Sequence, residues 1–156
     1  MLPLLATLLV AASATAAAAA PATAAPATAA PVVSAAWSRP AGQGTTGGGY
    51  FTLTNPKGPA DALVGVETPV AGMAMMHRSS TQGGVATMAM VDAVAVPKGA
   101  TVTFAPGGYH LMFTDLKRPL KLGDSFPATL KFRSGAKVKA TFVVGLAPPV
   151  AAASKR

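Results

Sequence analysis

An all-β sandwich is the fold this 156-residue chain predicts, and three observations carry the prediction. No segment after Val33 keeps a helical period for long. Short stretches of alternating apolar and polar residues take its place, separated by clusters of Gly, Pro, Asn and Ser. Several such stretches recur within about 110 residues, the spacing of a sandwich with Greek-key connections. At this length, and with the N-terminal region set aside, one compact domain is the limit.

The first strand signal is Gly49-Tyr50-Phe51-Thr52-Leu53-Thr54, rich in aromatic and β-branched residues, which ends at the turn chemistry of Asn55-Pro56-Lys57-Gly58-Pro59. Further strands are expected over residues 62–67, 73–78, 85–91, 101–104 and 109–113. The clearest pair follows. Phe126, Ala128, Leu130 and Phe132 alternate with Lys131 and Arg133. After Ser134-Gly135, the apolar residues Val138, Ala140, Phe142 and Val144 alternate with Lys137, Lys139 and Thr141. This is a hairpin with one buried and one wet face.

The N-terminal region is different. The apolar run from Leu2 to Val10, followed by small residues such as Ala14-Thr15-Ala16, has the form of a secretory signal peptide, expected over residues 1–20. It lacks a Lys or Arg near Met1, and the alternative is an uncleaved membrane anchor, which would be the chain's one membrane contact. Much of the extension such a span needs is weakly hydrophobic alanine, so export with cleavage is the better reading. Residues 21–32, rich in Ala, Pro and Thr, read as a flexible spacer. The folded domain is expected over residues 33–146, with a short tail over 147–156.

The formal charge of +8 is scattered through the chain, and no basic run is interleaved with aromatics, which argues against a nucleic-acid partner. The chain has no cysteine. In an oxidising compartment this removes both disulfides and thiolate metal sites.

What the chain does have is two histidines with thioethers nearby: His77 and Met88, and His110 and Met112 within Gly-Gly-Tyr-His-Leu-Met-Phe. Side chains two apart on a strand share a face, so His110 and Met112 can reach one ion while Leu111 points away. By the same rule Met73 and Met75 share a face with His77, and Met88 with Met90. Imidazole nitrogen and thioether sulfur suit Cu(I). Calcium and magnesium want carboxylate oxygen, and only five acidic residues exist; two histidines supply half a zinc site. Each element also has a plainer reading, since a lone histidine is often just hydrogen-bonded and methionine fills irregular cores.

The spacing of His77, ten residues, Met88, twenty-one residues, then His110-Leu111-Met112 resembles the signature of the periplasmic copper chaperone family PCuAC. Ala36-Trp37-Ser38-Arg39, Gly49 to Asn55, Leu63-Val64-Gly65-Val66, Pro106 to Met112 and Leu116 to Asp124 are similar to the family's blocks, in the family's order. The resemblance implies a cupredoxin-like Greek-key β-sandwich in the periplasm. It implies one Cu(I) on His77, Met88, His110 and Met112, delivered towards the copper centre of cytochrome c oxidase, with a copper-accepting oxidase subunit or a Sco-like assembly protein as recipient.

The chain departs from the family pattern in places. Arg78 follows His77 where an acidic residue is common, and is expected to make the local field less welcoming to a cation. Met73, Met75, Met76 and Met90 are additional; they read either as core or as a second sulfur-rich contact. Ala153-Ser154-Lys155-Arg156 carries no His or Met, so no further copper site is expected there. Blue-copper electron transfer needs a thiolate and is excluded. Two histidines with no evident base or nucleophile make an enzyme improbable. A non-metal adhesion or assembly module remains the alternative, and it predicts that His77 and His110 lie apart or are separately hydrogen-bonded.

Overall fold

The computed structural model describes residues 29–149. The leader expected over 1–20, most of the spacer expected over 21–32, and the end of the tail expected over 147–156 lie outside the described residues.

Among the described residues there are ten strands and no helix: β1 (Val32–Ser38), β2 (Gly47–Thr54), β3 (Asp61–Glu67), β4 (Ala71–Gln82), β5 (Val85–Met90), β6 (Val94–Val96), β7 (Thr101–Phe104), β8 (Tyr109–Leu116), β9 (Ser125–Phe132) and β10 (Lys137–Val144). They are hydrogen-bonded in the order β5-β4-β8-β7-β2-β1-β10-β9-β3-β6, with β2 also pairing with β8. Neighbours in space are mostly not neighbours in sequence. The short connections between β2 and β3 and between β3 and β4 carry the chain from one half of the sheet to the other and back.

The sheet folds over on itself. Phe113 of β8 meets Phe126 of β9 and Phe142 of β10 edge to face, with ring centres 5.5 and 5.8 Å apart, although β8 is hydrogen-bonded to neither strand. Phe51 of β2 stacks on Phe104 at 4.2 Å and meets Phe142 at 6.0 Å. Five buried phenylalanines therefore fill the space between two layers, the geometry in which aromatic pairs add to simple burial. The predicted hairpin of β9 and β10 is present, with Phe126, Ala128, Leu130 and Phe132 all buried.

Two strands carry no clear signal in the sequence. In β1 the pairing with β2 shifts between Ser34 and Trp37, where Ala35 adopts a φ of 48°. This bulge puts two residues of β1 opposite one of β2, so the alternation on either side is out of phase. β6 is three residues long and stops at Val96, just before Pro97. β4 and β8 both run past the predicted ends at Arg78 and Phe113.

The β2 end of the core is closed by a glycine whose missing side chain is necessary. A Cβ on Gly49 would stand 2.6 Å from Phe113 Cε2 and 3.3 Å from Phe142 Cε1. Gly49→Ala is expected to destabilise the fold by about 1–3 kcal/mol through overpacking, read as a lower urea or thermal midpoint. Gly65→Ala, whose Cβ would lie 3.9 Å from the Lys131 side chain, is the matched control and leaves the midpoint unchanged or raises it.

Candidate metal centre

The site is built on three adjacent strands, β5-β4-β8. The hairpin between β4 and β5 turns on Gly83 and Gly84, with φ of 58° and 79°. A two-residue turn with both φ positive matches strand twist and fixes the register. Gln82 pairs with Val85, and from there Ser79 falls opposite Met88 and His77 opposite Met90. On the other side of β4, His77 pairs with His110 and Met75 with Met112.

Directly paired residues of antiparallel strands project to the same face, as do residues two apart along a strand. One face therefore carries His77 and His110 side by side, flanked by Met75 and Met112 in the next row and by Met88 and Met90 on β5. The opposite face of the same strands supplies the core: Met76, Leu111 and Phe113 are buried. All four residues singled out by spacing are on the imidazole face. His77, His110 and Met112 are direct or near neighbours; Met88 is reached diagonally, opposite Ser79.

The two imidazole rings have centres 5.9 Å apart and planes inclined at 46°. Ligand nitrogens lie about 2 Å from a bound metal, so one ion fits between ring edges at this separation. His110 is buried, and its Nδ1 lies 3.0 Å from Gly108 O. A carbonyl only accepts, so Nδ1 carries a proton, and Nε2 is the ring nitrogen left for a ligand. The same carbonyl accepts from Ser79 N at 3.0 Å, which ties the start of β8 to β4. His77 Nδ1 is buried without any hydrogen-bond partner. Such an atom is costly to leave bare, and a metal ion is one thing that satisfies it.

Burial of His77, and next the charge of His110 beside it, holds its pKa below the ordinary imidazole range. Both effects favour the neutral ring, the form that ligates. The other donors on this face are uncharged thioethers. Arg78, expected to oppose a cation, points to the other face, where its guanidinium carbon lies 5.4 Å from the centre of the Tyr109 ring. Among the described residues there is no group of three or more His, Cys, Asp or Glu that could hold a metal ion.

Residues 32–144 match the family described as Putative lipoprotein LpqE-like. The chain belongs to this family. A relative, Putative lipoprotein Lxx21020 of Leifsonia xyli subsp. xyli, is 33% identical over 103 residues, covering 65% of this chain and 61% of its own. The chain spans about three-fifths of the length of the curated relatives it matches. Among solved structures, the Cu(I) form of DR1885 from Deinococcus radiodurans is 33% identical, with a TM-score of 0.56, covering 72% of this chain and 77% of that one. The copper-bound PCuAC domain of PmoF2 has a TM-score of 0.62 at 24% identity, covering 76% and 94% respectively, a likeness of fold. The PCuAC resemblance and the cupredoxin-like β fold that it implies are both borne out.

The additional methionines separate cleanly. Met76 is core, as one reading had it. Met73 and Met90 are 58% and 62% exposed and are not core, and Met75 is half-buried on the imidazole face. Met90 stands directly opposite His77, a position that spacing to the next histidine did not reveal but that the Gly83-Gly84 turn encodes.

His77 is expected to titrate below about 6.5 when followed by NMR, and His110→Asn is expected to raise its pKa part of the way, since the neighbouring charge is the smaller of the two causes. The unfolded chain takes up a proton on His77 before the folded one, so the metal-free protein keeps this contribution above about pH 6.5 and loses it as pH falls through the lowered folded value. A His77 resonance titrating at or above the free-imidazole value contradicts this account.

Proposed function

We propose that this chain is an exported copper carrier. It holds one Cu(I) on His77, Met88, His110 and Met112 and passes it to a recipient in assembly of the cytochrome c oxidase copper centre, either a copper-accepting oxidase subunit or a Sco-like protein. The observation that carries the reading is the pairing of His77 with His110 across β4 and β8, with His77 Nδ1 buried and unsatisfied, on a face that also carries thioethers. A non-metal assembly module has no need for that convergence. Family membership and the likeness to a Cu(I)-loaded relative support the same conclusion. The naming of relatives as lipoproteins supports export, and with it the leader and the periplasmic location.

The donor set also accounts for a carrier rather than an enzyme. Two imidazoles and two thioethers add no negative charge, so a divalent ion gains little extra attraction while the soft monovalent ion is well matched. Cargo is released by replacing one neutral ligand with another. Nothing in this exchange calls for an acid, a base or a redox step.

Anaerobic Cu(I) titration against a competing chelator is expected to show one tight equivalent, with Cu(I) preferred to Zn(II). His110→Ala and Met112→Ala are expected to weaken it at least about 10–100-fold, the range already seen when groups merely supporting a ligand are removed. Met76→Ala, which empties a core position, is expected to cost about 2–5 kcal/mol of stability while leaving affinity largely intact. Equal loss of affinity across all three overturns a defined site. Affinity is expected to fall as pH drops towards about 5, because protons compete for imidazole; a constant independent of pH shows that the histidines are not ligands.

In cells, deletion is expected to lower oxidase activity when copper is scarce, with restoration by added copper, since mass action can replace delivery. Full complementation by His110→Ala at low copper overturns the carrier assignment.

A further inference from the structure

Six methionines lie between Met73 and Met112, and five of them share the imidazole face; only Met76 is core. The proposed Cu(I) site uses two of the five. Two more, Met75 and Met90, converge on a feature of their own.

β5 ends where Val91 N donates to Met76 O at 2.9 Å, and the chain then turns away towards β6, while β4 continues back to Ala71 without a partner on that side. The gap is a cleft of about 230 Å³ lined by Met75 and the inner Met76 of β4, by Met90 and Asp92, and by Val64 and Gly65 of β3. Both methionines are cross-strand neighbours of proposed ligands, Met90 of His77 and Met75 of Met112. They are diagonal to one another across β4 and β5, a relation with Cα atoms about 7–8 Å apart that two flexible thioether side chains can bridge. Asp92 is exposed and brings a carboxylate to an otherwise uncharged mouth, where it attracts a cation.

Resting on the carrier reading above, we propose that Met75 and Met90 form a second, weaker thioether site for a soft monovalent cation, through which Cu(I) enters and leaves the His77 and His110 site. Each transfer exchanges one neutral sulfur or nitrogen donor for another, so the ion stays Cu(I) and no proton moves. The site is weaker because it offers two thioethers at an open cleft and no imidazole. Its place beside both His77 and Met112 lets an ion gain a new ligand before it loses an old one.

The test uses Ag(I), which needs no reductant, added to the full chain labelled with methyl-13C methionine. The first equivalent is expected to shift the Met88 and Met112 methyls, and a second, weaker equivalent those of Met75 and Met90. The double variant Met75→Leu/Met90→Leu, which conserves volume, is expected to lose the second equivalent, keep the first, and release Cu(I) to a chelator more slowly. A wild-type protein that takes up one equivalent only overturns the proposal. So does a second equivalent that survives the double substitution, or loss of the first equivalent in Met90→Leu alone, which assigns Met90 to the primary site. A wild-type protein without any tight first equivalent overturns the carrier reading instead, and the Met75 and Met90 methyls still decide this one.

Discussion

The register between β4 and β8 determines where His77, His110, Met75 and Met112 land, and it is held from the opposite, core face of the sheet. Met76, Leu111 and Phe113 are buried on the core face of these strands, while His77 and His110 alternate with them. A slip of one residue would turn the imidazoles inward and the apolar side chains out. Each large side chain so exposed would lose about 1.5–3 kcal/mol of burial, and two imidazoles would have to be desolvated among phenylalanines. The apolar pattern thus specifies the geometry of the polar one. A pair of histidines 5.9 Å apart needs no dedicated scaffold beyond a well-registered sheet.

Much of this was legible in the residues. β7, β9 and β10 follow directly from alternation, and the rule that neighbours two apart share a face correctly sorted Leu111 from His110 and Met112. What escaped did so for physical reasons. The bulge at Ala35 breaks the period of β1 in its middle, and three residues of β6 are too few to show a period at all. β5 was found as a strand, but all six of its residues are exposed, so its apolar character does not denote core. The effect expected of Arg78 treated sequence adjacency as spatial proximity. On a strand the next residue is the one that points away.

Pairing partners are a harder matter, because alternation within a strand says nothing about its neighbour. Here the hairpin was the exception. The two glycines at 83 and 84 permit the tight turn that places Met90 opposite His77, so this pairing is written in the turn residues themselves. The pairing of β4 with β8 could not, since the chain between them forms three other strands and pairs two of them elsewhere in the sheet. Spacing in a related family carried that information instead. A fixed number of residues between donors is informative only because the intervening strands and turns hold a fixed path.

The open position of the site follows from the same topology. β4 and β5 form the outer edge of the sheet, so thioethers on their imidazole face are not closed in by a second layer; Met88 is 59% exposed. An enclosed site would hold an ion by burying it, and would release it only through local unfolding of the strands around it. At a sheet edge the imidazoles are fixed by the buried face of β4 and β8, while the flexible methionine side chains remain free to change partners. Rigidity and exchange are thereby assigned to different residues. On the proposed carrier reading His110, oriented by the Gly108 carbonyl, supplies the fixed point, and the thioethers around it supply the movable ones. The absence of cysteine belongs to the same division, because a thiolate would bind the ion more tightly, and in an oxidising compartment it could be lost to a disulfide.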